Sequence, residues 1–212
     1  DLHKEYRRQR QMCIRDSMNI GEIVASLVGI AMAISIHEFG HAYSAHLLGD
    51  DTAKAYGRMT LNPVRHVDPI GLLAMFILKI GWAKPVPVNP NNFKNYKIGN
   101  LIVSLAGVFC NVLTAILCVI INKYVHMYAI NTIAEYVFLY SIGFAAFNLL
   151  PIPPLDGWGV ISTFVPYKWN EYLYKFESMS YIILLIALFT GMYRIILTPI
   201  YAVLLKIVYL FV

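Results

Sequence analysis

Polar positions divide the chain into apolar runs of unequal length. The first covers residues 20–48, the third 98–121 and the fourth 133–150, and two more follow at 172–190 and 195–212. A helix crossing a bilayer needs about 20 apolar residues, so the third and fourth runs are expected to span. A single helix over 172–212 would be about 60 Å long at 1.5 Å per residue, too long for one crossing. A turn is therefore expected at residues 191–194. The second run, residues 69–82, holds only about a dozen apolar positions and carries Lys79, so it reads as re-entrant. It returns through Trp82-Ala83-Lys84-Pro85-Val86-Pro87-Val88-Asn89-Pro90, where the prolines forbid a helix. Extended backbone at membrane depth is tolerated only inside protein or beside a wet cavity. The fold expected is an all-α multi-pass membrane protein of five to six hydrophobic helical segments with a re-entrant extended loop.

Composition agrees. Of 212 residues, 58% are hydrophobic and 14% charged, against about 25% charged in an ordinary soluble domain. The net charge of +5 is modest, and no basic cluster interleaved with aromatics points to nucleic acid. The three cysteines, Cys13, Cys110 and Cys118, form no pair with zinc-ligand spacing and suggest no disulfide framework.

The basic residues report topology. Seven Lys or Arg (Lys54, Arg58, Arg65, Lys79, Lys84, Lys94 and Lys97) fall between Gly49 and Lys97, whereas residues 122–131 hold only Lys123. The positive-inside rule makes the first loop cytoplasmic. Residues 1–17 are dense in charge and lack the apolar stretch of a signal peptide. Their five Lys or Arg oppose that orientation. They are expected to be a non-native leader, with Met18 as the natural start. Residues 18–212 then form one domain, with a catalytic core at 18–164 and a C-terminal helical hairpin at 165–212.

Candidate chemistry begins in the first run, at His37-Glu38-Phe39-Gly40-His41. Residues four apart share one helix face, so His37 and His41 can hold one zinc ion with Glu38 beside them as general base. Ionisable groups inside a membrane helix are functional candidates by default. Residue 37 lies seventeen positions from residue 20, about 25 Å along a helix, which places the ion near the far side of a core about 30 Å thick.

A catalytic zinc site wants a third protein ligand and one open position. His46, His66, His126, Asp68, Glu135 and Asp156 are the candidates. His46 follows His41 by five residues and points away from its face. His126 and Glu135 flank a short loop and read as solvated. His66 and Asp68 sit in a turn leading to residue 69. Asp156 is the best placed: it ends Asn148-Leu149-Leu150-Pro151-Ile152-Pro153-Pro154-Leu155-Asp156-Gly157, where prolines break the helix and Gly157 permits unusual backbone. A capping or loop role is its alternative. If residues 69–82 turn back rather than span, Asp156 arrives on the same side as His41.

These two motifs together resemble the site-2 protease family of intramembrane metalloproteases. Residues 61–71 and 81–90 also resemble its short bacterial and archaeal branch, and the similarity runs from Met18 to about Phe164. The resemblance implies that His37, His41 and Asp156 bind one Zn2+ per chain and that Glu38 activates water. It implies that Asn148 positions the scissile carbonyl or stabilises its oxyanion. The partners it implies are the lipid bilayer and a transmembrane protein substrate. The Lys and Arg asymmetry, by the positive-inside rule, has the active site of this multi-pass cell-membrane protein opening towards the cytoplasm. Where the family has Ala-Gly-Pro before a downstream asparagine, this chain reads Ala106-Gly107-Val108 before Asn111. Asn111, polar in a charge-free run, either packs helices or supports the site. The alternative functions are a non-proteolytic zinc sensor and a transporter; Glu38 argues against the first, since a structural zinc needs no base.

Overall fold

The computed structural model of the chain describes residues 19–71, 73 and 83–211. The expected leader and most of the run at 69–82 lie outside the described residues. Seven α-helices are described: α1 (Ile20–Leu47), α2 (Thr52–Ala55), α3 (Tyr96–Tyr124), α4 (Tyr128–Asn148), α5 (Asp156–Phe164), α6 (Asn170–Thr190) and α7 (Tyr193–Leu210). Five of them, α1, α3, α4, α6 and α7, are long and apolar enough to cross a membrane. Among the described residues the one extended pairing is an antiparallel bridge between Val67 and Ala83. The chain is an all-α multi-pass membrane protein.

Local chemistry sets the helix ends. Asn19 caps α1 by accepting from the Glu22 N–H, while the Glu22 carboxylate accepts from the Asn19 N–H, a reciprocal capping box. Asn95 caps α3 by accepting from the Ile98 N–H. α4 stops at Asn148, just before Pro151, Pro153 and Pro154, because proline cannot continue the ladder. Gly191 ends α6 at φ +73°, a left-handed turn that glycine adopts without strain. Helix resumes at Tyr193, so the turn is shorter than expected.

The body of the molecule is the packing of α1, α3 and α4, with α5 laid on α3. Val108, Ala115, Ile142, Ala145, Ala146, Leu204 and Val208, from α3, α4 and α7, form its largest buried cluster. Small residues let the backbones approach, the usual device for packing helices in lipid. A Cβ on Gly29 would lie 2.9 Å from the Tyr136 carbonyl oxygen of α4, and one on Gly40 would lie 2.9 Å from the Ala106 carbonyl oxygen of α3. A Ser26 to Tyr140 hydroxyl bond of 2.6 Å adds a polar tie between α1 and α4.

Residues 83–89 are extended, as the prolines require, and lie along the end of α1. Asp50 fastens them there. It is fully buried, and its carboxylate accepts from the Asn89 N–H at 2.7 Å, the Asn92 amide at 2.7 Å, and the N–H and hydroxyl of Thr52. Burial opposes the charge, but these donors outweigh it and hold the carboxyl below its ordinary value of 3.8. A carboxyl depressed in the folded state stabilises fully above the unfolded value of about 4, and that contribution fades as pH falls through the folded value. Asp50→Ala strands several donors and is expected to cost about 3 kcal/mol, read as a lower melting temperature at pH 7. The deficit relative to wild type should shrink in acid.

Candidate metal centre

His37, Glu38 and His41 lie on α1 within one turn, all buried. The His41 Nδ1 lies 2.8 Å from the Val103 carbonyl oxygen on α3. A carbonyl can only accept, so Nδ1 carries the proton and a neutral ring leaves its Nε2 lone pair free. The His37 ring packs edge-on against Phe144 of α4, with centroids 4.8 Å apart. Its Nδ1 lies 3.3 Å from the Asn111 side-chain amide. Both rings rest on Gly107 of α3: a Cβ there would come within 2.6 Å of His37 Cε1 and of His41 Nε2.

Asp156 is the first residue of α5. The turn before it, which contains a cis Pro153–Pro154 bond, folds over Gly157 so tightly that a Cβ there would meet the Leu149 carbonyl oxygen at 2.3 Å. Asn100 of α3 ties α5 down by donating to the Gly159 carbonyl at 3.0 Å and the Thr163 hydroxyl at 2.8 Å. Asp156 is thereby aimed back at α1.

Three ligand-type atoms meet. His37 Nε2 and His41 Nε2 are 3.0 Å apart, and Asp156 Oδ2 lies 3.1 Å from the first and 3.3 Å from the second. With metal–ligand bonds of about 2.0–2.2 Å at tetrahedral angles, the edges between zinc ligands are about 3.3–3.6 Å. The observed triangle is close to one face of that tetrahedron. Asp156 Oδ2 is moreover buried without a well-aligned hydrogen bond, an orphan that a cation would satisfy. The residues fit a zinc ion held by two imidazoles and a carboxylate.

Glu38 stands next to this triangle. Its Oε2 accepts from the Val86 N–H at 2.8 Å, so the extended stretch grips the carboxylate. Arg58, also buried, donates to the carbonyls of Lys84 and Pro85, and the Lys84 N–H donates to the His66 carbonyl.

The other candidates from sequence are engaged elsewhere. His46 pairs with Asp51 at the surface. His66 is buried with Nε2 against the Thr60 carbonyl. Asp68 caps the Ile70 and Gly71 N–H groups, and His126 and Glu135 are exposed. Asn148 ends α4, eight residues before Asp156, and its amide donates to the Phe144 carbonyl at 3.0 Å. Sequence reasoning missed the contacts of Val103, Val86 and Gly107; only Asn111, polar in a charge-free run, offered a signal.

The chain is 34% identical over 183 residues to YwhC of Bacillus subtilis, covering 82% of this chain and 84% of that protein. It is 28% identical over 190 residues to Rip2 of Mycolicibacterium smegmatis, covering 84% of this chain and 71% of that protein. Both relatives are named as zinc metalloproteases. No family model and no solved structure matches the chain. The identity and coverage shared with YwhC, on a chain of membrane-spanning helices with a His37, His41 and Asp156 cluster, establish that this protein belongs to the site-2 protease family of zinc metalloproteases.

Proposed function

We propose that this chain is an intramembrane zinc metalloprotease that hydrolyses peptide bonds in membrane-spanning segments of other proteins. The observation that carries this reading is the meeting of His37, His41 and Asp156 beside Glu38, inside a bundle of apolar helices. In it, His37, His41 and Asp156 are the ligands of one zinc ion and Glu38 is the general base. A zinc ion held there supplies a Lewis acid that acidifies water and polarises a carbonyl. Glu38 takes a proton from the attacking water and delivers it to the leaving amine. The Val86 N–H holds one oxygen of that carboxylate, which fixes its direction and leaves the other for water. Asn148, at the broken end of α4, is assigned to the scissile carbonyl or its oxyanion.

A transmembrane helix hides its peptide bonds, so the substrate must unwind before it is cut. The stretch at residues 83–89 offers an edge for the unwound segment, by strand addition. Pro85 and Pro87 have no N–H, and the Lys84 and Val86 donors are already used. Among the described residues of this stretch, the Val88 N–H, on the same side as that of Val86 by the two-residue period of extended chain, is a donor available to substrate. The catalytic core is residues 18–164. The excess of Lys and Arg between Gly49 and Lys97 favours a cell-membrane protein whose site opens to the cytoplasm.

The test is to incubate the purified protein in lipid vesicles with a membrane-spanning peptide, with and without a chelator. Cleavage that stops with chelator and returns with zinc supports the protease. Zinc binding without cleavage of any membrane peptide would instead identify a metal sensor, and neither binding nor cleavage would remove both readings.

A further inference from the structure

We infer that Asn111 is a positioning residue for zinc: its side-chain carbonyl accepts the Nδ1 proton of His37 and so holds that ring in the tautomer that can bind metal. The inference rests on the zinc reading above and deepens it.

The argument is one of proton placement. A neutral imidazole that ligates through Nε2 must carry its proton on Nδ1, and a buried N–H needs an acceptor. Ligating histidines nearly always satisfy that N–H with a carbonyl or carboxylate. His41 has such an acceptor in the Val103 carbonyl at 2.8 Å. For His37 the polar group at Nδ1, among the described residues, is the Asn111 side-chain amide at 3.3 Å. Asn111 is fully buried, and its Oδ1 has no hydrogen-bond partner. A half-turn of the amide about its last bond exchanges Nδ2 for Oδ1 and moves no other atom. The orphaned oxygen then faces Nδ1–H, Nδ2 takes the place that Oδ1 held, and Nε2 presents its lone pair to Asp156 Oδ2 and His41 Nε2. One rotation gives the buried Oδ1 a donor and leaves His37 Nε2 free to ligate.

The amide therefore matches either tautomer: as a donor to bare Nδ1, and as an acceptor from Nδ1–H. A residue that merely glued α3 to α1 would not have to sit at that one nitrogen. Gly107 lies one turn earlier on α3, against the same two rings. One face of α3 thus carries the Val103 carbonyl, the bare backbone of Gly107 and Asn111 in succession, each touching an imidazole.

The experiment uses the full chain in detergent, stripped with chelator and titrated with zinc against a chromophoric chelator. Asn111→Leu keeps the branched shape, with the same count of side-chain heavy atoms, and removes the acceptor; zinc is expected to bind 10- to 100-fold more weakly. The absorption of the cobalt-loaded protein should shift, while the melting temperature of the metal-free protein stays close to wild type. Asn111→Asp restores an acceptor and is expected to hold zinc at least as tightly as wild type. Unchanged affinity in Asn111→Leu, while His37→Ala loses zinc, overturns this inference alone. Should Asn111→Leu fail to fold, weakened binding in Asn111→Asp overturns it. If wild type and His37→Ala bind zinc alike, the metal reading falls and this inference with it.

Discussion

Glu38→Gln is expected to lower peptide hydrolysis on the order of 10³-fold, within the range that general acid–base groups supply, while zinc still binds. Glutamine has the same length and a carbonyl oxygen in the same place. It can keep the hydrogen bond from the Val86 N–H, so the extended stretch at residues 83–89 stays docked. What it cannot do is accept and release a proton. The variant separates two things that Glu38 does in this structure, anchoring a loop and moving a proton, by removing only the second. Glu38→Asp makes the reverse comparison: the base is kept but one methylene shorter, so it loses both Val86 and the reach to water. It should therefore lose activity and loosen the loop together. Turnover of a membrane-spanning peptide and bound zinc per chain are the two measurements. A Gln variant that turns over at the wild-type rate with normal zinc content would exclude Glu38 as the base.

The donor triangle was legible in the chain because each member has a short-range signature. His37 and His41 announce themselves by a four-residue interval in an apolar helix. Asp156 does so by following three prolines and preceding Gly157, at a place where no helix could pass. Spans with uninterrupted apolar sequence were equally plain: residues 98–121 became the interior of Tyr96–Tyr124. The start of α4 was not. It begins at Tyr128 rather than near residue 133, because Asn131, Thr132 and Glu135 interrupt the apolar pattern. Those polar groups, with Glu22, line a hollow of about 510 Å³ where the ends of α1 and α4 meet, so the first turns of α4 need not be apolar. The supports of the site were hidden for a different reason. The Val103 carbonyl and the Val86 N–H are backbone groups, present at nearly every residue, and only the crossing of α1 with α3 and the path of residues 83–89 select them. Gly107 shows the same limit: a glycine in an apolar helix says that something comes close, but not that two imidazoles do.

That closeness makes Gly107→Ala the sharpest structural test of the centre: this single methyl is expected to weaken zinc binding about 100-fold or more. A Cβ at this position would lie 2.6 Å from His37 Cε1, 2.6 Å from His41 Nε2 and 2.7 Å from His37 Nδ1, far inside van der Waals contact. The rings have little room to retreat. His41 is pinned by the Val103 carbonyl, and His37 is wedged between Asn111 and Phe144. Relief must come from shifting α3 away from α1, which the contact of Gly40 with Ala106 resists, or from swinging the imidazoles off the triangle. Overpacking of this kind costs about 1–3 kcal/mol in stability, and either escape separates donors whose present spacings of 3.0–3.3 Å suit one ion. Alanine is the better helix former by up to about 1 kcal/mol, so propensity alone predicts the opposite sign. Gly143→Ala supplies the control, because nothing lies within 4 Å of a Cβ there; it should bind zinc as wild type does and melt no lower. If Gly107→Ala also binds zinc normally and keeps its melting temperature, the two rings do not rest on this glycine, and the placement of His37 and His41 against α3 is wrong.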